Sequence, residues 1–156
     1  MNIKTIDSTK LMAGFESGDI IVFDIRTFQE VSRVNLYAGQ PLMCFDYSVE
    51  KNLGIAGSSE NSLEQFKMNE NSVERSGSIE ITNPGLNSIK IRQSDSKIFA
   101  TGGWDSRIRL FGSKKKNLLA VLDFHKDHIN TIDFSVKNSM AAGSNDGIIS
   151  FWDLYN

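Results

Sequence analysis

Residues 142–153 read AGSNDGIISFWD, a small residue and a glycine followed by a polar turn and an apolar strand that carries a tryptophan. Three upstream segments align with this stretch without gaps: AGFESGDIIVFD (13–24), AGSSENSLEQFK (56–67) and TGGWDSRIRLFG (101–112). All four have an aromatic residue at the eleventh position, namely Phe23, Phe66, Phe111 and Trp152. The segments start 43, 45 and 41 residues apart, so the chain is predicted to contain four copies of one structural unit.

Each aligned segment predicts a β-hairpin. A short apolar run precedes the polar turn, and alternation follows it, as where Ile108 and Leu110 alternate with Arg107 and Arg109. A period of two is typical of a strand, and glycine and small polar residues tolerate the backbone conformations of tight turns. We name the strand before the turn b and the strand after it c. We expect the four eleventh-position aromatics to be buried in strand c.

Two further strands complete the predicted unit, strand a before each hairpin and strand d after it. Strand a is predicted at 3–7, 42–48, 86–92 and 129–135, and strand d at 31–38, 73–82 and 118–125. The units then span about 1–39, 40–84, 85–125 and 126–156, and the last one lacks strand d. Four-stranded units of this length predict an all-β propeller of about four blades.

The repeats resemble the WD40 family, and the last 60 residues or so resemble one group within it more closely. The stretches that carry this second resemblance are FATGGWDSRIRLF (99–111), LLAVLDFH (118–125) and AAGSNDGIISFWDLY (141–155). They are similar to the guanine nucleotide-binding protein β-subunit-like WD40 proteins, a group that includes ASTRA-associated protein 1. The resemblance implies a scaffold in the nucleus, with the cytoplasm as a second location. The implied partners are a chromatin-associated assembly and the cochaperone machinery that matures giant kinase-like proteins.

The WD40 resemblance also implies a ring of seven blades. We therefore expect this chain to be the C-terminal part of a larger ring, or a natural short form of it. An incomplete ring leaves open strand edges, which invite pairing with other chains. We expect the chain to pair with the missing blades, to associate with itself, or to close under strain into four blades.

The resemblance implies a buried hydrogen-bond relay in the last blade. His125, Asp146 and Trp152 occupy the positions where WD40 blades place a histidine, a turn aspartate and a strand-c tryptophan. The relay usually passes through a serine or threonine of strand b, where this chain has Ala142, so we expect it to be broken or shortened. Blade three keeps Thr101 and Asp105 but has Phe111 in place of the tryptophan and no histidine in the preceding loop. We assign these residues a structural role.

Trp104 is the candidate for partner binding. It lies in a turn whose equivalents in the other repeats are Glu16, Ser59 and Asn145, and Arg107 follows directly after this turn. Exposed tryptophan and arginine are enriched at binding hot spots. The alternative is that Trp104 packs over the neighbouring blade as a lid, and the sequence leaves both interpretations open.

Charge and composition argue against several classes of function. The net charge is -2 and the only cysteine is Cys44, so we expect no direct nucleic-acid or membrane binding and a reducing compartment. The two histidines, His125 and His128, form no cluster for a metal, and we predict no cofactor, no metal and no catalysis. The run Lys114–Lys116 fits either a nuclear import signal or a solvated loop.

The sequence therefore predicts a non-catalytic scaffold for protein–protein interaction. Its specific form, a subunit of an ASTRA-type complex, is what the resemblance implies. The alternative is a substrate receptor or adaptor in ubiquitin ligation or trafficking, which binds a peptide on the propeller face.

Overall fold

Four antiparallel sheets make up the structure, a computed structural model that describes residues 2–154. Each sheet takes consecutive strands in chain order, so each is one blade. Blade 1 holds β1 (Asn2–Thr5), β2 (Lys10–Gly14), β3 (Asp19–Asp24) and β4 (Gln29–Asn35). Blade 2 holds β5 (Cys44–Ser48), β6 (Leu53–Gly57), β7 (Ser62–Asn69) and β8 (Ser72–Glu80).

The second half of the chain continues the same plan. Blade 3 holds β9 (Leu86–Ile91), β10 (Ile98–Gly103), β11 (Arg107–Gly112) and β12 (Leu118–Asp123). Blade 4 holds β13 (Ile129–Phe134), β14 (Ser139–Ser144) and β15 (Ile149–Asp153). The predicted fold class, an all-β propeller of four blades, is confirmed. Residues 2–154 contain no helix long and apolar enough to cross a membrane.

The four hairpins share one register, which is why their sequences align without gaps. The first residue of each aligned segment pairs with the ninth: Ala13 with Ile21, Ala56 with Glu64, Thr101 with Arg109, and Ala142 with Ser150. A second shared feature is a register shift between strands c and d, directly before the eleventh-position aromatic of blades 1 to 3. Such a bulge bends the strand and re-aims the side chains that follow it.

Three apolar clusters join consecutive blades. Met12 and Ile20 of blade 1 pack with Phe66 of blade 2, and the two later junctions are built in the same way. The aromatic of strand c thus packs back against the preceding blade. Burial of this apolar surface between sheets is the main contribution to the stability of the fold.

The expectation that all four strand-c aromatics are buried is wrong for two of them. Phe66 and Phe111 are buried, whereas Phe23 and Trp152 are only half-buried. No blade precedes blade 1 within residues 2–154, so Phe23 has no sheet to pack back against there, and its ring centroid lies 6.5 Å from that of Phe15. Trp152 faces blade 3, but its sheet has only three strands in the described part of the chain.

Candidate functional site

Because consecutive strands of each blade are antiparallel neighbours, the loops lie at two opposite ends of the blades. The turns between strands b and c, together with the d-to-a connections, form one end, which we call the b–c face. The loops between strands a and b and between c and d form the opposite end, the a–b face. Loops held by rigid sheets are where binding residues concentrate.

Trp104 lies on the b–c face in the turn between β10 and β11, and its ring packs on the backbone of Gly85. Its backbone N–H donates to the carbonyl of Gly85 at 2.9 Å, and the indole ring lies so close to Gly85 that a Cβ there would overlap it. Gly85 also has a φ of +86°, a conformation that favours glycine. The d-to-a connection of blades 2 and 3 is therefore shaped to seat this indole.

The rest of the indole is fixed by polar and aromatic neighbours. Its Nε1–H donates to Oδ1 of Asn87 at 2.6 Å, and its ring stacks on His128 of the next connection, with centroids 6.3 Å apart. The Nδ2 group of Asn87 donates in turn to Oδ1 of Asn130 at 3.3 Å. We call Trp104, His128, Asn87 and Asn130 the Trp104 platform.

The platform is both a lid and a surface. Trp104 covers the junction with blade 4, yet 38% of its area stays exposed, and His128 and Asn130 are exposed beside it. Such a combination of a rigid aromatic with amide groups can stack on a side chain and hydrogen-bond a peptide backbone. The two interpretations of Trp104 that the sequence left open are thus compatible.

Arg107 lies beyond the platform, at the start of β11. Its guanidinium donates to Oδ2 of Asp123 on β12 at 3.1 Å, and about half of each side chain is exposed. An exposed ion pair of this kind contributes little to stability. The arginine is therefore free to exchange its partner for a carboxylate of another protein.

A hydrogen-bond relay joins the predicted structural residues of blade 4. His125 lies 3.0 Å from Asp146 through Nδ1 and 2.8 Å from the hydroxyl of Ser150 through Nε2. The indole N–H of Trp152 donates to the same hydroxyl at 2.9 Å. Ala142 offers only its carbonyl, 3.5 Å from Ser150 Oγ. The hydroxyl missing from strand b is supplied by strand c, so the relay is continuous.

Asp146 is held as a carboxylate at the end of this relay. The backbone N–H of Lys126 donates to it at 2.9 Å, and the N–H of Ile148 and the His125 ring contribute further hydrogen bonds. These contacts, led by that of Lys126, lower the pKa of Asp146 to about 2, although partial desolvation opposes them. The relay ties the turn of blade 4 to the connection that leads into it.

Blade 3 uses a different set of side chains at the same repeat positions. Arg109, equivalent to Ser150, donates to both carboxylate oxygens of Asp105 at 3.0 and 2.6 Å and to Asn83 at 2.9 Å. Desolvation raises the pKa of Asp105, and the Arg109 contacts outweigh it, so the net direction is down. Thr101 is buried in β10 opposite Arg109. Thr101 thus lies inside the blade, whereas Asp105 lies next to Trp104 in the b–c turn, with 23% of its side chain exposed.

Sequence reasoning singled out Trp104 and missed the residues that hold it. Asn87 and Asn130 occupy the same position of strand a in consecutive blades, within LNSIK and INTID, so the repeat alignment contained the signal. From the sequence, His128 was considered only as a candidate metal ligand. Among residues 2–154, no group of three or more histidine, cysteine or acidic side chains is arranged to hold a metal ion.

Comparison with known proteins agrees with this geometry. Residues 80–112 and 116–153 match the family model described as WD domain, G-beta repeat. These two segments are WD40 repeats. They span strands of blade 3 and blade 4, which carry the Trp104 platform and the relay, and the predicted resemblance to WD40 proteins is confirmed.

Two relatives align with nearly the whole chain. Guanine nucleotide-binding protein subunit beta-like protein 1 of Mus musculus is 37% identical over 146 residues, which cover 93% of this chain and 44% of the relative. ASTRA-associated protein 1 of Schizosaccharomyces japonicus is 27% identical over 161 residues, again 93% of this chain and 44% of the relative. A third, ASTRA-associated protein 1 of Schizosaccharomyces pombe, is 46% identical over 72 residues. The chain spans less than half the length of these relatives.

Proposed function

We propose that the chain is a non-catalytic WD40 scaffold that binds protein partners through the Trp104 platform. We further propose that it works in the nucleus as a subunit of an ASTRA-type assembly. The names of two relatives in which ASTRA association is stated support this second part. Its partners would then be chromatin-associated proteins and the machinery that matures giant kinase-like proteins.

The observation that carries the proposal is the construction of the platform. A tryptophan that served only to fill space would be buried, whereas Trp104 is clamped by Gly85, Asn87 and His128 and still exposes 38% of its surface. Because the indole is already immobile, a partner that stacks on it loses little conformational entropy. Exposed tryptophan of this kind is a common anchor in protein interfaces.

Co-purification from a nuclear extract tests the proposal. We expect the tagged chain to recover a kinase-like protein and its cochaperone, and the double variant Trp104→Ala/Arg107→Ala to lose most of this recovery. Phe28→Ala is the matched control, because Phe28 is 84% exposed on the opposite, a–b face and its removal should change nothing. Thermal melting of each variant separates loss of contact from loss of fold.

Two results would contradict the proposal. Undiminished recovery by a well-folded double variant would make Trp104 only a lid. Recovery of a ubiquitin ligase or a vesicle coat instead of the kinase machinery would favour the adaptor class. If the double variant does not fold, Arg107→Glu alone replaces it, since Arg107 and its partner Asp123 are both largely exposed.

A further inference from the structure

A groove of about 630 Å³ lies on the a–b face between blades 2 and 3, at the opposite end of the molecule from the Trp104 platform. The β5–β6 turn contributes Lys51 and Leu53 to its lining, and the β9–β10 loop contributes Lys97. The β11–β12 loop contributes Ser113 and Lys114. The exposed surface of the groove is mostly carbon, from Leu53 and the aliphatic parts of polar side chains, and the rim carries three lysines. We call this site the lysine groove.

The positive charge of the groove is only partly compensated, since Lys51 forms an exposed ion pair with Glu50 at 2.9 Å. Asp95, the acidic residue in its lining, is already engaged by Arg92 in two hydrogen bonds of 3.0 and 2.7 Å. Lys97 Nζ lies only at 3.9 Å from Asp95, and Lys114 forms no ion pair with residues 2–154. Lys115 and Lys116 follow Lys114 in the same loop but lie outside the lining. In a chain with a net charge of -2, this local excess of cations marks a site for an anionic group.

The floor of the groove is rigid. The side chain of Asn52 accepts a hydrogen bond from the Tyr47 hydroxyl at 2.9 Å and one from the backbone N–H of Met68 at 2.8 Å. The hydroxyls of Ser48 and Ser96 lie 2.7 Å apart in a buried hydrogen bond. The backbone N–H of Ser113 donates to the carbonyl of Lys97 at 2.8 Å. These contacts fix the three loops relative to one another, so the groove is preorganised for a ligand.

One polar atom in the groove has an unfilled hydrogen-bonding capacity. The Oγ atom of Ser113 is buried and has no hydrogen-bond partner within residues 2–154. A buried hydroxyl left without a partner is costly. If the Ser113 side chain rotates toward the groove, its hydroxyl can donate to a carboxylate that lies between the lysines of the rim.

We propose that the lysine groove binds an acidic peptide segment of a partner protein. An apolar side chain of the segment packs on Leu53 and on the methylene stems of the lysines, which leave their ammonium groups free at the rim. Flanking aspartate or glutamate side chains pair with Lys51, Lys97 and Lys114. A nucleic acid or a membrane fits less well, because the site is a short apolar groove and each of those ligands requires a longer basic surface.

The lysine groove adds a second binding surface to the proposed scaffold. Its assignment rests on the proposed function in one respect, namely that the ligand is a protein. The groove and the Trp104 platform lie at opposite ends of the blades, so they can be tested separately. Failure of the groove experiment below leaves the platform experiment unaffected, and the reverse also holds.

Fluorescence anisotropy with a labelled synthetic peptide tests the groove. The probe has a leucine–phenylalanine pair flanked on both sides by three acidic residues, and the comparison peptides replace either the apolar pair by serine or the acidic residues by lysine. We expect Lys51→Ala/Lys114→Ala to weaken binding of the probe about five- to tenfold. This factor corresponds to the loss of two partly exposed ion pairs between the lysines and the acidic residues of the peptide. Binding should also fall as the salt concentration rises from roughly 0.05 to 0.3 M.

The matched control is Lys126→Ala/Lys137→Ala, which removes the same charge from two exposed lysines outside the groove. We expect this variant to bind the probe as the parent chain does. The proposal is overturned if the two double variants weaken binding equally, or if the serine peptide binds as well as the probe. It is also overturned if an anionic vesicle or a single-stranded oligonucleotide binds more tightly than the probe. If a groove variant does not melt as the parent does, Lys114→Gln alone replaces it, because Lys114 is exposed and unpaired in the described chain.

Discussion

Single side chains decide how the turns of this propeller are fixed. In blade 4 a histidine, an aspartate and a serine form the relay, whereas blade 3 uses Arg109 between Asp105 and Asn83. At the connection into blade 2 the Tyr37 hydroxyl lies 2.9 Å from the carbonyl oxygens of both Ala56 and Ser62, and its single O–H donates to one of them at a time. Each solution satisfies buried polar groups that the connection into the blade would otherwise leave unpaired.

Ser150 is the centre of the blade 4 relay, and its removal should destabilise the fold. In Ser150→Ala the Nε2 atom of His125 and the indole N–H of Trp152 both lose the Ser150 hydroxyl, so we expect the free energy of unfolding to fall by about 1–3 kcal/mol. Urea denaturation measures the change. Ser139→Ala is the control, since its hydroxyl bonds Asp153 at an exposed site and should cost much less. Equal losses in the two variants would contradict the relay as we describe it.

Asp146 gives the same relay a pH dependence in acid. The pKa of Asp146 is lowered from 3.8 to about 2 in the folded chain, first by the Lys126 N–H and also by His125. A lowered pKa in the folded state stabilises the fold above the unfolded value, and this contribution disappears as pH falls through about 2. We expect Asp146→Asn to be less stable than the parent at pH 7 and the gap to narrow as pH drops from about 4 to 2. A gap that stays constant over this range in acid denaturation would rule the linkage out.

At the level of elements, the register shared by the four hairpins explains why their positions could be predicted from the sequence. The gapless alignment located every b–c hairpin, because one extra residue in any turn would move the apolar face of a strand to the other side of its sheet. The hydroxyl of Ser150 was missed because it comes from strand c, while the expected one comes from strand b. The lysine groove was missed as well, since it is assembled from three loops of two blades that no local pattern connects.

The sixth position of the aligned segment has a positive φ in three blades: 83° at Gly18, 66° at Ser106 and 82° at Gly147. The surroundings of the two glycines differ. A Cβ at Gly18 would overlap the carbonyl oxygen of Tyr37, whereas no atom of residues 2–154 lies within 4 Å of a Cβ at Gly147. The connection from blade 1 to blade 2 thus lies directly against the turn of blade 1, whereas residues 2–154 leave the corresponding space in blade 4 unfilled.

These two turns allow backbone strain to be separated from steric overlap. We expect Gly147→Ala to cost about 1 kcal/mol, the price of a left-handed conformation for alanine. Gly18→Ala should cost roughly 2 kcal/mol more, because the backbone of Tyr37 must also move. Chemical denaturation of both variants gives the comparison. If the two losses agree within error, the close approach of Tyr37 to the Gly18 turn does not exist in solution.

For the molecule as a whole, the unpartnered surfaces lie at the end of the row of blades. On β15, Ile149 and Phe151 are 65% and 79% exposed and point to the same side of the sheet. Within residues 2–154, β15 pairs only with β14, so its other edge presents free backbone groups. An apolar strand with an open edge is a template for pairing with another chain.

We therefore expect the 17.4 kDa chain to associate with itself through this strand. Light scattering at a series of concentrations should give an average mass that rises above the monomer value, and Phe151→Glu should return it to that value. Glutamate at this position puts a charge on the apolar face without removing any buried group, so the blade itself should remain folded. Val136→Glu is the control, because Val136 is 92% exposed in the β13–β14 turn and lies on no strand. A parent chain that keeps one monomeric mass at every concentration, and melts in a single cooperative transition, would show that the exposed face of β15 does not drive association.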